Sequence, residues 1–217
     1  MNIAADRFAH ITSDPFATTP AGIRPLTAAA DLGTPDFDWT AVRGRLVEMR
    51  ADAGAAVLSA VTTLVWQAQR AGEPVAWVHG GTASPFVQDL VAAGIDVGAV
   101  VSVRLHRELD ALRAAERLLR SGGFGLMVID IQRGITLGAT EAGRLARLAD
   151  VQDCAVILIA EQPVSPAAGS LVSLRAEVSR VRLSDGRFER RIRVVRDKRT
   201  AREWTVTEVV DGPDGLR

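Results

Sequence analysis

Hydrophobic residues recur with two different periods along the chain. Between residues 44 and 160, short apolar runs alternate with segments whose apolar residues recur every three to four positions. The runs are typical of strands buried on both faces of a sheet, and the spaced segments are typical of helices. The predicted strands lie at 45–49, 74–78, 99–103, 125–130 and 155–160, and the predicted helices at 54–69, 85–93, 108–120 and 141–151.

Beyond Leu171 the pattern changes to an alternation of apolar and polar residues, which predicts strands with one covered face. These strands lie at 176–183, 188–195 and 204–210, and Asp185-Gly186 between the first two favours a tight hairpin. We therefore predict an α/β fold, with a mostly parallel sheet flanked by helices and a C-terminal antiparallel extension.

The first forty residues lack either pattern. Four prolines interrupt this segment: Pro15, Pro20, Pro25 and Pro35. Proline breaks long helices, so we predict an N-terminal arm over 1–40 and a core domain over 41–217. Two uses of the arm's apolar residues remain open, namely packing onto its own core and docking onto a neighbouring subunit.

Composition excludes several classes of protein. Twenty-six basic and 26 acidic residues give a net charge of zero, which removes the case for a strongly basic nucleic-acid-binding domain. The single cysteine, Cys154, excludes an intramolecular disulfide and a cysteine-cluster metal site. The N-terminus lacks an apolar signal core, and no apolar run is long enough for a membrane span, so we expect a cytoplasmic protein that does not enter membranes.

Three segments carry a resemblance to a known family: GRLVE at 44–48, QRAG at 69–72 and VAWV at 75–78. In this order and spacing they resemble the core of the RecA recombinases. In that family, a strand ending in glutamate leads to a glycine-rich phosphate loop, a helix and a strand that bears a catalytic glutamate. The resemblance covers roughly residues 44–210 and implies a RecA-like core.

The same resemblance places the family's phosphate loop, G-x-x-x-x-G-K-[ST], on residues whose chemistry does not suit it. Ala51, Ala56, Val57 and Leu58 stand at the four signature positions. In a working loop the glycines let backbone N–H groups wrap the phosphates, the lysine neutralises them, and the hydroxyl holds Mg²⁺. Gly81 stands where the family has its catalytic glutamate. We therefore expect a pseudo-ATPase without a cofactor or catalytic residues.

Asp130, at the end of an apolar run, matches the family's second nucleotide motif, in which a carboxylate helps to hold Mg²⁺. Two interpretations remain open: a relic of that motif, and a strand-end aspartate that caps the following turn. The loops that contact DNA in the family are shorter here, which argues against filament-style DNA binding.

A third set of candidates is basic. Residues 175–202 contain eleven basic and four acidic residues, and VVRDK at 194–198 resembles a family motif whose lysines reach a neighbouring subunit's nucleotide. The candidate contacts are Arg180, Arg182, Arg191, Arg193, Arg196, Lys198 and Arg199. Three roles remain open for them: a solvated ribbon whose charges prevent edge-to-edge aggregation, a site for a partner's acidic tail, and a site for a nucleic-acid backbone.

A RecA-like core of this length without a phosphate loop resembles the ImuA proteins, which act in damage-induced mutagenesis. This resemblance implies a non-catalytic accessory role in translesion DNA synthesis during the SOS response. The partners that it implies are an ImuB-like protein and RecA. Two alternatives remain: a divergent ATP-dependent mediator of recombination that binds DNA, and a SulA-like inhibitor of cell division.

Overall fold

Five stretches of the chain are described by a computed structural model: residues 36–51, 56–80, 87–131, 137–160 and 166–210. The predicted arm therefore lies outside the described residues, except for 36–40. Within that short piece Phe37 and Trp39 are buried in the core. Trp39 opens a one-turn helix, α1 (Trp39–Val42), which Asp38 caps by accepting a hydrogen bond from the backbone N–H of Ala41.

An eight-stranded sheet forms the centre of the described fold. Its strands are β1 (Leu46–Ala51), β2 (Val75–Gly80), β3 (Val100–Leu105), β4 (Leu126–Ile131), β5 (Ala155–Ala160), β6 (Leu174–Arg182), β7 (Phe188–Asp197) and β8 (Trp204–Val210). The remaining helices are α2 (Ala56–Arg70), α3 (Val87–Ala92), α4 (Glu108–Arg120), α5 (Ala139–Val151) and α6 (Pro166–Gly169), with a single 3₁₀ turn at Val97–Ala99.

The strand order is β3-β2-β4-β5-β1-β6-β7-β8, parallel from β3 to β6 and antiparallel from β6 to β8. Buried residues of α2 and α3 belong to one apolar cluster, and those of α4, α5 and α6 belong to another on the opposite face. The crossovers through α2 and α3 run in one direction along the sheet, and the other three run back. Because the helices of these two groups lie on opposite faces, all five crossovers have the same handedness, as is usual for parallel strands.

Strands β2 and β4 are buried at every position, because helices cover both faces of the sheet there. Trp77 and Val128 face α2, whereas Val78 and Ile129 face α4 and α5. Burying one such aliphatic side chain contributes about 1.5–3 kcal/mol. Among the described residues, no helix is long and apolar enough to cross a membrane.

The hairpin predicted at Asp185-Gly186 is confirmed. It joins β6 to β7, with Gly186 at a φ of +86°, a conformation that favours glycine. The Asp185 carboxylate accepts a hydrogen bond from the backbone N–H of Arg187 at 3.0 Å, and the N–H of Leu183 donates to the carbonyl of Arg187 at 2.8 Å. These bonds close the turn and set the pairing of the two strands.

Each predicted strand and helix has a counterpart in the structure whose ends lie within two residues of the predicted ones. The helix at 108–120 and the strands at 155–160 and 204–210 agree residue for residue. The predicted fold class is therefore confirmed as α/β, with a mostly parallel sheet, flanking helices and an antiparallel C-terminal part. The sequence pattern did not predict α1 and α6, because four residues are too few to show a helical period.

Candidate functional site

The first candidate region is the connection between β1 and α2, where the resemblance places the phosphate loop. Ala51 is the last residue of β1 and Ala56 is the first of α2. Val57 is only 4% exposed and packs in the apolar cluster under α2, and Leu58 is partly buried against the same cluster. The position expected to carry the phosphate-binding lysine therefore holds an apolar side chain directed into the core.

The carboxyl ends of the neighbouring strands β2 and β4 bring two buried polar residues together. His79 and Asp130 are direct partners in the parallel register, and each is almost fully buried. Both lie on the face that α2 covers, because Trp77 and Val128, two positions earlier, face that side. Gly81, the predicted substitute for the catalytic glutamate, lies outside the described residues.

His79 stacks on the indole ring of Trp77, with ring centroids 5.7 Å apart and ring planes 11° apart. Nδ1 of His79 and Nε1 of Trp77 are both buried with no hydrogen-bond partner in the described part of the chain. Both side chains line a cavity of about 100 Å³, together with Ser102 and apolar residues of α3 and β3. This cavity was not predicted from the sequence.

Burial, followed by the positive charge of nearby Arg104, lowers the pKa of His79 from 6.5 to about 4. The imidazole is therefore neutral at pH 7. Within the described ranges, no group of three His, Cys, Asp or Glu side chains is arranged to hold a metal ion.

The arginines of β6 and β7 do not form one stripe. Arg190 lies opposite Arg180 in the register, and its buried guanidinium donates hydrogen bonds to a threonine hydroxyl of α2. Arg180 and Arg182 therefore project on the α2 side of the ribbon. Arg191 and Arg193 alternate with Arg190 and project on the opposite side. Each predicted pair shares one strand face, but the two pairs are separated by the sheet.

Most of the seven basic candidates have partners within the chain. The guanidinium of Arg180 lies 4.6 Å from the ring centroid of Phe188. Two arginines form ion pairs, Arg191 with Glu189 at 3.0 Å and Arg193 with Glu203 at 3.2 Å. Two others donate to backbone carbonyls, Arg196 to Gly169 at 2.8 Å and Arg199 to Arg43 at 2.9 Å. Arg182 is exposed. The pKa of Lys198 is lowered by partial burial and, to a smaller extent, by the positive charge of Arg196. Their contact with nucleic acid or a partner stays a prediction.

A ladder of alternating charges crosses from β1 to β7, and we call Glu48, Arg50, Arg175, Glu177 and Arg193 the charge ladder. Glu48 pairs with Arg175 at 2.5 Å and Arg50 pairs with Glu177 at 2.7 Å, and both pairs are direct register partners in the parallel strands. Arg193 reaches Glu177 at 3.7 Å. The charge ladder was not among the predicted features, although E-x-R in β1 and R-x-E in β6 are its signal in the sequence.

A buried ion pair joins the start of β1 to the end of β7. Arg45 pairs with Asp197 and donates to the carbonyl of Ser173 at 2.8 Å, while the indole N–H of Trp204 donates to Asp197 at 3.3 Å. Burial alone raises the pKa of Asp197, but hydrogen bonds from Arg45 and from the backbone N–H of Arg199 outweigh it and lower the pKa. Burial lowers the pKa of Arg45, and Asp197 partly offsets that change.

These features define an α/β protein with a mixed eight-stranded sheet, an apolar β1–α2 junction and a C-terminal ribbon whose charges mostly pair within the chain. No protein-family model matches the chain, and comparison with curated proteins gives no match.

Proposed function

We propose that this protein is a non-catalytic, RecA-like accessory factor in damage-induced mutagenesis, which acts by binding an ImuB-like protein and RecA. The element order supports the RecA-like part of this proposal. Strands and helices alternate from β1 to β5 and an antiparallel ribbon follows, which is the order that the resemblance predicts.

The buried side chain of Val57 is the observation that carries the non-catalytic part. Phosphate loops depend on a lysine amine to neutralise the phosphate charge beside the helix N-terminus. Val57 brings no charge to this place, and its burial in the core leaves it facing apolar neighbours. Asp130 alone does not replace that charge, because a carboxylate repels phosphate unless a cation lies between them.

The edge strand β3 supports a role in protein binding. It pairs with β2 on one side and ends the described sheet on the other. Val101 in this strand is 45% exposed, and Arg104 is the only charged residue along its six positions. Such an edge presents unpaired backbone groups beside apolar side chains, to which a partner's strand can be added.

Titration calorimetry with ATP and Mg²⁺ tests the non-catalytic part, with RecA run under the same conditions as the positive control. We expect saturable heat from RecA and none from this protein at concentrations that detect micromolar affinity. Saturable binding would overturn the proposal and favour the ATP-dependent recombination mediator.

Retention of RecA and of the ImuB-like protein on the immobilised chain tests the partners, with and without ATP and single-stranded DNA. A Val101→Arg variant places a charge on the apolar edge, and Val209→Arg, at a 51% exposed valine on the opposite edge strand β8, is the matched control. We expect loss of retention with V101R alone. If neither partner is retained in any condition, the partner assignment is wrong.

A further inference from the structure

An open groove lies between the C-terminal ends of α4 and α5. Its volume is about 270 Å³, and it is lined by Arg120, Arg144, Arg147, Leu148 and Val151. The lining therefore combines three guanidinium groups with two aliphatic side chains.

The topology places this groove away from the candidate nucleotide region. Helices α4 and α5 cover the same face of the sheet, and each leads into the start of the next parallel strand, so both helices end at the amino edge. The turns that follow them touch, because a Cβ added to Gly122 would lie 2.7 Å from Oε1 of Gln152. The β1–α2 junction and Asp130 lie near the carboxyl edge.

The groove carries excess positive charge. Arg120 and Arg144 share one carboxylate, that of Glu116, at 2.5 and 3.4 Å, and Arg144 also reaches Glu141 at 3.5 Å. Arg147 has no ion pair within the described ranges. Arg120 lies in the last turn of α4, where a cation stabilises the helix dipole, but Arg147 precedes the last turn of α5. The helix dipole therefore does not account for Arg147.

The two aliphatic lining residues distinguish between two kinds of acidic partner. Val151 is 65% exposed and lies one helical turn after Arg147, and Leu148 lies beside it. A nucleic-acid backbone brings phosphates without a matching aliphatic group. A peptide brings carboxylates and an aliphatic side chain together, so it matches both the arginines and the aliphatic residues that line the groove.

We propose that this groove binds an acidic peptide segment of a partner protein, with one aliphatic side chain on Leu148 and Val151 and flanking carboxylates on the arginines. This site is separate from the β1–α2 junction, and the proposal holds whether or not the chain binds nucleotide. Exposed charge pairs of this kind accelerate association and weaken as salt is added.

An amide chemical-shift titration of the isotope-labelled full chain tests the proposal. The probe is the peptide Asp-Asp-Leu-Asp-Asp, with Gly-Ser-Leu-Ser-Gly as the uncharged control and a short oligothymidylate as the rival. We expect saturable shifts for the acidic peptide at 144–152 and 118–123, and these shifts should diminish with added salt. No saturable shift, shifts confined to 175–199, or tighter binding of the oligothymidylate would each overturn the proposal.

Two charge reversals sharpen the test. Arg147→Glu should weaken binding of the acidic peptide about tenfold, because it replaces an attraction in the groove by a repulsion. Arg113→Glu makes the same change at an exposed position of α4 that does not line the groove, where Arg113 pairs with Asp110. Equal weakening by R147E and R113E would mean that overall charge, not the groove, binds the peptide.

Discussion

In the parallel half of the sheet, strands β2 and β4 are buried at every position, whereas along most of the ribbon strands β6, β7 and β8 more buried residues alternate with less buried ones. Helices cover β2 and β4 on both faces, so these two strands are nearly continuous apolar runs. The ribbon packs apolar residues such as Ile192 on the α2 side and carries the charge ladder on the other, although Arg180, Arg182 and Arg190 also project on the α2 side. Coverage on both faces thus keeps β2 and β4 almost free of charged residues, whereas the ribbon carries charges on both sides.

The two halves also differ in the partners of their buried polar groups. Where the ribbon joins β1, register partners in the charge ladder have opposite charges, and buried Arg190 has a hydroxyl and a carboxylate partner, although its Nε has none among the described residues. In the parallel half, Nδ1 of His79 and Nε1 of Trp77 are buried without hydrogen bonds from described residues. A count of arginines is therefore weak evidence for a binding surface, since pairing within the sheet accounts for most of them.

The largest effect that we predict lies at the junction of the two halves. Asp197→Ala leaves the buried guanidinium of Arg45 without its carboxylate, and we expect a loss of about 3–5 kcal/mol in the free energy of unfolding. Urea denaturation followed by circular dichroism measures it. The matched control is Glu203→Ala, which removes an exposed carboxylate and should cost about 0.5 kcal/mol or less. Equal losses for D197A and E203A would contradict the distinction between buried and exposed pairs.

The second prediction concerns pH and the parallel half. The pKa of His79 is about 4 in the folded chain and 6.5 in the unfolded one, so only the unfolded state takes up a proton between these values. Stability is therefore complete above pH 6.5 and falls as the pH drops towards 4, by about 3 kcal/mol. His79→Phe keeps an aromatic ring beside Trp77 and removes the titrating group.

The measurement is the free energy of unfolding from pH 7.5 to 4, compared between the wild-type chain and H79F. Carboxylates titrate in both proteins, so the difference between the two curves isolates His79. His106→Asn, at an exposed histidine, should keep the wild-type pH dependence. Parallel curves for wild type and H79F would show that His79 is not held neutral by burial.

Local pattern explains which parts of this structure were predictable. The helix at 108–120 follows from apolar spacing within a single element, and the Asp185-Gly186 hairpin follows from the preferences of two adjacent residues. The pair between Glu48 and Arg175 joins residues 127 positions apart, and it depends on β6 lying beside β1, which local pattern does not determine. For the same reason, the alternating pattern along each strand predicted that Arg180 and Arg191 lie on strand faces, but it did not show that these two faces are on opposite sides of the sheet.

The third prediction tests the pairing that the sequence analysis missed. Glu48→Gln and Arg175→Gln, made singly and together, form a double-mutant cycle across β1 and β6. Glu48 is fully buried and Arg175 is partly exposed, so we expect a coupling energy of about 1–2 kcal/mol between them. Unfolding free energies of the four proteins give the coupling. A coupling near zero would mean that the two side chains contribute to stability independently, despite their 2.5 Å separation.

The smallest effect that we predict lies on the open face of the ribbon. Arg193 is 55% exposed and pairs with Glu203 and Glu177, so solvent screens both interactions. Arg193→Ala should change the free energy of unfolding by about 0.5 kcal/mol or less, and added salt should remove the difference. Urea denaturation at low and high salt measures it. A loss above about 1.5 kcal/mol would mean that Arg193 strengthens the partly buried pair between Arg50 and Glu177 in the charge ladder. The ribbon's charges would then act as one cooperative network. Its exposed face would contribute to stability, as the buried pair of Arg45 and Asp197 does.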